Sequence, residues 1–279
     1  SKLHAFALAT GTLLWSFSLD PQSDDPIPGI KGGIAYRNGV IVAHSGRQNL
    51  YALDVNTGSV IWQKTLDESL RGGPTLSELN SVIVTDLDGQ VYVFTLSDGS
   101  LIWQRSGFPV ETVVYGTSSP AILDQNLIVS GQAGEIEIYN LLSGALLWAD
   151  SLASFNPRTP LERLGDIRAF AATDQRYAYF ISQSGRMSAF EVNSGFEVWA
   201  KPLSGIEMPW IVENTIFVVT IDGRLIAIRK SDGAVRWVTE LPGAIPEGIA
   251  ATKNLPRYMG PVIANGEVLI IRKTGEFYR

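Results

Sequence analysis

One phrase recurs six times along the chain, and every copy ends on tryptophan. It reads LHAFALATGTLLW at 3–15, YALDVNTGSVIW at 51–62 and VYVFTLSDGSLIW at 91–103. It returns as IEIYNLLSGALLW at 136–148, MSAFEVNSGFEVW at 187–199 and LIAIRKSDGAVRW at 225–237. A glycine stands four residues before each tryptophan: Gly11, Gly58, Gly99, Gly144, Gly195 and Gly233. The tryptophans, Trp15, Trp62, Trp103, Trp148, Trp199 and Trp237, fall 38 to 51 residues apart. That is the period of a four-stranded propeller blade.

Each full repeat divides into four short apolar runs, labelled A to D. In the copy at 119–152 they are SPAIL, NLIVSG, EIEIYNL and ALLWADS, each about the length of an ordinary strand. Turn residues stand at the joints. RNG (37–39), ENT (213–215) and ANG (264–266) separate A from B, where Asn and Gly tolerate the positive φ of a tight hairpin. Gly89, Gly134, Gly185, Gly223 and Gly275 separate B from C, and the glycine of the phrase separates C from D.

The tryptophan then lies on the outermost strand, against the following blade. An indole buries roughly 150–250 Å², worth several kcal/mol as an upper estimate. Six such seams are expected to hold the blades together. Trp210, in MPW, stands outside the pattern. Five repeats are complete. Strands C and D of another open the chain, and A, B and the start of C of one more close it. The expected fold is therefore an all-β propeller of four-stranded antiparallel blades. It is expected to be one domain over residues 1–279, most of a larger ring and truncated at both ends, its targeting segment and any lipid anchor removed.

Composition narrows the function. The formal charge is −6 and no Lys/Arg run exceeds two residues, which argues against a phosphate-binding surface. No apolar run reaches the ~18 residues of a membrane span. Cysteine is absent, so disulfides and thiolate metal sites are impossible. The two histidines, His4 and His44, fall in strand-like alternation with no zinc-site spacing. DLDG at 86–89 lacks the ligand spacing of a calcium loop and reads as a B–C turn. SDD at 23–25 reads as a solvated loop. No catalytic, cofactor-binding or metal-binding residue is expected.

The phrase A-x-D-x-x-T-G-x-x-x-W, intact at 52–62, resembles the tryptophan-docking repeat of the pyrroloquinoline-quinone-like propellers, and the resemblance implies that the chain is most of an eight-bladed ring. The Asp position varies in the other copies: Ala7, Thr95, Asn140, Glu191 and Arg229. Such variety suits a framework rather than one chemistry. Quinoprotein dehydrogenases share the repeat and are the enzymatic alternative; a propeller serving some other protein partner is the third reading.

In a propeller the B–C turns and the D–A connections share one face. Here that face carries every long connection: 20–33, 105–118, 151–168 and 241–260. Long loops on a rigid scaffold usually carry function. LERLGDIR at 161–168 and TVVYGTSSP at 112–120 are similar to the two loops with which the BamB family of outer-membrane assembly lipoproteins docks BamA. The resemblance implies partner-binding roles for Thr112, Val114, Tyr115, Gly116, Arg163, Leu164, Asp166 and Arg168. Ser118 and Pro120 also match the family motif. Asp166 corresponds to the docking Asp. Tyr115 stands where the family has Arg, Arg168 where it has a second Asp, and Thr112 and Val114 where it has Leu. The implied function is a non-catalytic scaffold of the outer-membrane β-barrel assembly machinery, without cofactor, at the periplasmic face of the outer membrane. A BamA-type protein would be its partner, with unfolded outer-membrane proteins as a second class.

Overall fold

The computed structural model describes residues 1–20, 32–106, 118–131, 134–152, 167, 169–245 and 257–279. Every regular element among them is a strand. A two-stranded sheet, β1 (Lys2–Phe6) and β2 (Leu13–Ser18), comes first. Five four-stranded sheets follow. They are β3 (Gly33–Arg37), β4 (Val40–His44), β5 (Asn49–Asp54), β6 (Val60–Thr65); then β7 (Leu70–Leu76), β8 (Ser81–Asp86), β9 (Gln90–Thr95), β10 (Leu101–Ser106). Next come β11 (Ala121–Leu123), β12 (Asn126–Ser130), β13 (Glu135–Asn140), β14 (Leu146–Ser151), and β15 (Ala172–Thr173), β16 (Tyr177–Ile181), β17 (Met187–Glu191), β18 (Glu197–Lys201). The fifth is β19 (Trp210–Val212), β20 (Thr215–Val219), β21 (Arg224–Arg229), β22 (Val235–Glu240). A three-stranded sheet ends the chain: β23 (Tyr258–Ala264), β24 (Glu267–Arg272), β25 (Phe277–Tyr278). Strands neighbour one another in chain order throughout. The residues group into two compact units, Ser1–Gln125 with Asn140–Ala145, and Asn126–Tyr139 with Leu146–Arg279.

Five tryptophans dock in one geometry. The indole Nε1–H donates to the carbonyl three residues before the next copy's glycine: Trp15 to Val55 (2.9 Å), Trp62 to Leu96 (2.8 Å) and Trp103 to Leu141 (2.8 Å). In the second unit Trp148 donates to Val192 (2.7 Å) and Trp199 to Lys230 (2.8 Å). The glycines receiving them, Gly58, Gly99, Gly144, Gly195 and Gly233, have φ between 67° and 73°. A β-carbon on any of them would sit 2.6–2.9 Å from the indole. These glycines therefore serve the turn and the seam together. Trp237 differs from the expectation of six seams: it is 41% exposed and meets Phe217 at a tilted angle.

The outer strand of each of these six sheets carries a bulge immediately before its tryptophan. Trp62 pairs with Ala52 and Val60 with Leu53, leaving Ile61 unpaired; Leu14, Ile102, Leu147, Val198 and Arg236 are skipped in the same way. A bulge adds a residue and re-aims the strand. Consequently both residues before the tryptophan are exposed in Leu13–Leu14, Val60–Ile61, Leu101–Ile102 and Leu146–Leu147. Strict alternation would have buried one of each pair. The bulge also spoils the outer edge as a template for another strand.

At three copies the variable position of the phrase caps its own turn with a side-chain oxygen. Asp54 Oδ1 accepts the N–H groups of Asn56 and Thr57 and the Thr57 hydroxyl. Asn140 accepts from Ser143, and Glu191 from Ser194. Three residues past Thr95 and Arg229, Asp98 accepts the N–H of Ser100 and Asp232 that of Ala234, just past the glycine, as the Thr57 hydroxyl accepts that of Ser59. The Thr57 hydroxyl and backbone N–H hold the Asp54 carboxyl below its ordinary pKa; the Arg229 guanidinium brings Asp232 down to about 2.

The A–B hairpins follow the turn chemistry with one departure. Asn38–Gly39 and Asn265–Gly266 take positive φ at both residues. In ENT it is Glu213, not the neighbouring asparagine, that has φ 49°. Trp210 begins β19 and is half-buried.

Candidate docking face

Thr112, Val114, Tyr115, Gly116, Arg163, Leu164, Asp166 and Arg168 lie outside the described residues. What the structure places are the stems from which their loops spring. Loop 105–118 leaves at Arg105, whose Nε–H donates to the Gly144 carbonyl at 3.0 Å. It returns at Ser118, which is buried. There the Ser119 hydroxyl accepts the Gly73 N–H at 2.5 Å, and the Thr75 hydroxyl donates to the Pro120 carbonyl at 2.6 Å. The Ser118 carbonyl would stand 2.7 Å from a β-carbon on Gly72. Ser118 and Pro120, although they match the docking motif, are thus part of the packing between β7 and β11.

The stretch carrying Arg163 to Arg168 springs from Leu152, fully buried, with its N–H on the Gly134 carbonyl at 2.7 Å. It returns through Ile167, 1% exposed, and buried Ala169. Loop 241–260 leaves from buried Leu241, whose N–H meets the Gly223 carbonyl at 2.9 Å, and returns at buried Tyr258. The Tyr258 hydroxyl donates to the Pro242 carbonyl. Loop 20–33 leaves at Asp20, buried beside Arg47 at 3.8 Å. These loops are therefore gripped at their roots.

The sequence reading overlooked these roots, although their signal is present. A leucine stands four residues after the tryptophan in five of six copies: Leu19, Leu66, Leu152, Leu203 and Leu241. Leu66, Leu152 and Leu241 each tie the end of the outer strand to the B–C turn through backbone bonds to Gln48, Gly134 and Gly223. An apolar residue at a fixed interval past the strand is an anchor where a polar loop would otherwise begin.

The polar groups beside these stems are engaged in holding turns. Asp86 accepts the Gln90 N–H at 2.9 Å and the Tyr92 hydroxyl at 3.1 Å. Burial raises the Asp86 pKa against those bonds and pushes the Tyr92 phenol up to about 12. His44 accepts the Gly46 N–H on Nδ1 at 3.0 Å, leaving Nε2–H to donate to the Gly72 carbonyl at 2.7 Å. Burial brings its pKa down to about 4, so the ring is a neutral clamp between β4 and β7. Arg186 links Glu197 (2.6 Å), the Ser188 hydroxyl (3.2 Å) and the Ser151 carbonyl (3.4 Å). Among the described residues no group of three or more His, Asp or Glu is placed to hold a metal ion. On the side of the A–B turns, a groove of about 430 Å³ in the first unit is lined by Leu76, Glu78, Leu79, Ile122, Asp124 and Leu141.

The family description "outer membrane protein assembly factor BamB" matches residues 1–239. The chain belongs to the BamB family. Outer membrane protein assembly factor BamB of Yersinia pestis is 22% identical over 232 residues, covering 82% of this chain and 59% of that protein. The uncharacterized protein RC0314 of Rickettsia conorii is 23% identical over 263 residues, 93% of this chain and 63% of that one. The chain thus spans about three fifths of the length of these curated relatives. The crystal structure of BamB from Moraxella catarrhalis superposes with a TM-score of 0.78 at 20% identity, over 96% of this chain and 79% of that one. Quinohemoprotein alcohol dehydrogenase from Comamonas testosteroni superposes with a TM-score of 0.63 at 14% identity, over 78% and 43%. The fold is a β-propeller of four-stranded antiparallel blades with PQQ-like repeats, as in the BamB family. No helix among the described residues is long and apolar enough to cross a membrane.

Proposed function

We propose that this chain is a non-catalytic docking module of the outer-membrane protein assembly machinery, acting at the periplasmic face of the outer membrane. The observation that carries the reading is the BamB family match over residues 1–239. The geometry supports it. Five of the six repeated tryptophans, the turn carboxylates and the buried histidine are used in building the frame, and the long connections spring from buried roots.

The partner proposed is the BamA-type barrel-assembly protein, met by Thr112, Val114, Tyr115 and Gly116 from one loop and Arg163, Leu164, Asp166 and Arg168 from the other. Unfolded outer-membrane proteins are a second proposed class of partner. The test is binding of the purified chain to the periplasmic domains of such a partner by calorimetry. Asp166→Arg, with folding intact, is expected to weaken the complex by about 1 kcal/mol or more, as for an interfacial charge. Unchanged affinity would remove Asp166 from the contact, and absence of any binding by the unaltered chain would sink the reading.

A further inference from the structure

On the side of the A–B turns, side chains bridge one sheet to the next. The Arg37 guanidinium, at the end of β3, donates to Glu78, in the β7–β8 turn, at 3.2 Å. The Asn126 amide, at the start of β12, donates to the Asn193 side chain, in the β17–β18 turn, at 3.0 Å. The Lys230 ammonium, just past β21, lies 2.9 Å from Asp174, just past β15. Among the described residues no such bridge joins the side chains of the β7–β8 turn to those of the turn after β11. The groove of about 430 Å³ lies there instead.

Its lining belongs wholly to the first unit. Leu76, Leu79, Ile122 and Leu141 make it apolar, and Glu78 and Asp124 add two carboxylates. Leu141 is buried, whereas Leu79 is exposed. One oxygen of Glu78 meets Arg37, but the side chain stays 91% exposed. Asp124 has no cation against it among the described residues. LDQN at 123–126 repeats as TDQR at 173–176, so Asp124 holds the place of Asp174. Asp174 receives Lys230 from the chain itself. In the repeat before, Val192 stands at the position of Lys230, so the chain brings no such cation to Asp124.

We propose that this groove takes a lysine or arginine side chain presented by a partner polypeptide. Its aliphatic stem lies on Leu76, Ile122 and Leu141, and its cationic head meets Glu78 and Asp124. Charge complementarity selects the occupant: the Arg37–Glu78 and Lys230–Asp174 pairs are the molecule's own examples of what carboxylates at these turns accept. A long basic side chain suits a lining that is apolar with a charged margin, because its methylenes cover apolar surface while its head stays near water. The formal charge of −6 favours the approach of such a partner. The volume falls within the range of ligand pockets, roughly 300–1,000 Å³. The groove lies at the end of the sheets away from the long connections, so it is a second surface, separate from the docking loops.

The test uses the 279-residue chain with its Leu and Ile methyl groups labelled for NMR. The probe is the capped pentapeptide acetyl-Ser-Leu-Lys-Leu-Ser-amide, and the control carries norleucine in place of lysine. Titration with the lysine peptide is expected to move the methyl signals of Leu79, Ile122 and Leu141. The norleucine peptide should bind about tenfold more weakly, since it lacks the charged head. The double variant Glu78→Gln with Asp124→Asn should lose about as much affinity for the lysine peptide and discriminate little between the two peptides. Both substitutions keep the shape of the side chain; asparagine is at ease at φ 55°, the value at Asp124, and an exposed pair such as Arg37–Glu78 contributes little to folding. Unfolding curves confirm that the variant folds; if it does not, Asp124→Asn alone carries the comparison. Unmoved methyl signals, equal binding of the norleucine peptide, or undiminished binding by the variant would overturn the proposal. None of these outcomes bears on whether the loops dock an assembly partner.

Discussion

Trp103 and Gly144 compete for one volume. A β-carbon on Gly144 would lie 2.7 Å from Cδ2 of the Trp103 indole, and Gly144 has φ 67°. Gly185 separates the two demands, because its φ is 100° and nothing lies within 4 Å of its β-carbon position. Gly185→Ala should cost only the left-handed penalty, about 1–2 kcal/mol. Gly144→Ala should add an overpacking cost of about 1–3 kcal/mol. Denaturant unfolding of the two variants measures the difference, and equal losses would mean the indole does not need the bare glycine.

The indole N–H has its own worth. Trp103→Phe keeps most of the apolar area but strands the carbonyl of Leu141, a residue 1% exposed. An unsatisfied buried acceptor costs about 1–3 kcal/mol. Trp237→Phe, at a half-exposed position, should change monomer stability by less than about 0.5 kcal/mol. Similar losses at both positions, read from monomeric protein, would contradict the distinction.

His44 makes stability pH-dependent in a stated direction. Burial lowers its folded pKa from 6.5 to about 4, outweighing the bond to the Gly72 carbonyl and the nearby Asp20 charge. Between those values the unfolded chain binds the extra proton. The contribution is therefore complete above pH 6.5 and lost as pH falls toward 4, and amounts to about 3 kcal/mol. Protonating Nδ1 would set its N–H against that of Gly46. His44→Gln should flatten the stability profile across this window in unfolding curves taken at stepped pH; an unaltered slope would assign the dependence elsewhere.

Asp86 has the opposite sign. Burial raises its folded pKa, ahead of the lowering bonds from Gln90 and Tyr92. Its contribution is present below the unfolded pKa and lost as pH rises through the folded value. Asparagine can still accept from Gln90 and can donate to the Tyr92 oxygen. Asp86→Asn is expected to match or exceed the unaltered chain's stability at pH 7, the gain shrinking toward pH 4. A loss at pH 7 would show that the negative charge itself is needed.

The repeat was legible because its physics is local. Glycine at a left-handed turn, an indole at a fixed interval after it, and four apolar runs between turn residues can each be read within some fifty residues. The number of complete sheets follows from them, as does the antiparallel order of strands. Reading the variable phrase position as framework was also within reach, since Asp54, Asn140 and Glu191 all offer a side-chain oxygen. That Asp98 and Asp232 cap the residue past the glycine, as the Thr57 hydroxyl does, required seeing the turns folded.

Sequence alone determined the blade period, the strand content and the identity of the seam residues, because each depends on backbone propensities and side-chain volume close along the chain. Tertiary structure decided which glycine each tryptophan meets. The phrase joins Gly99 to Trp103, but folding seats Trp103 on Gly144 and hands Gly99 to Trp62. It also decided that Ile61 and its counterparts bulge outward, and that Leu152, Ile167 and Leu241 root the long loops. Those outcomes depend on which sheet lies alongside, a relation between residues some forty positions apart that no local pattern contains.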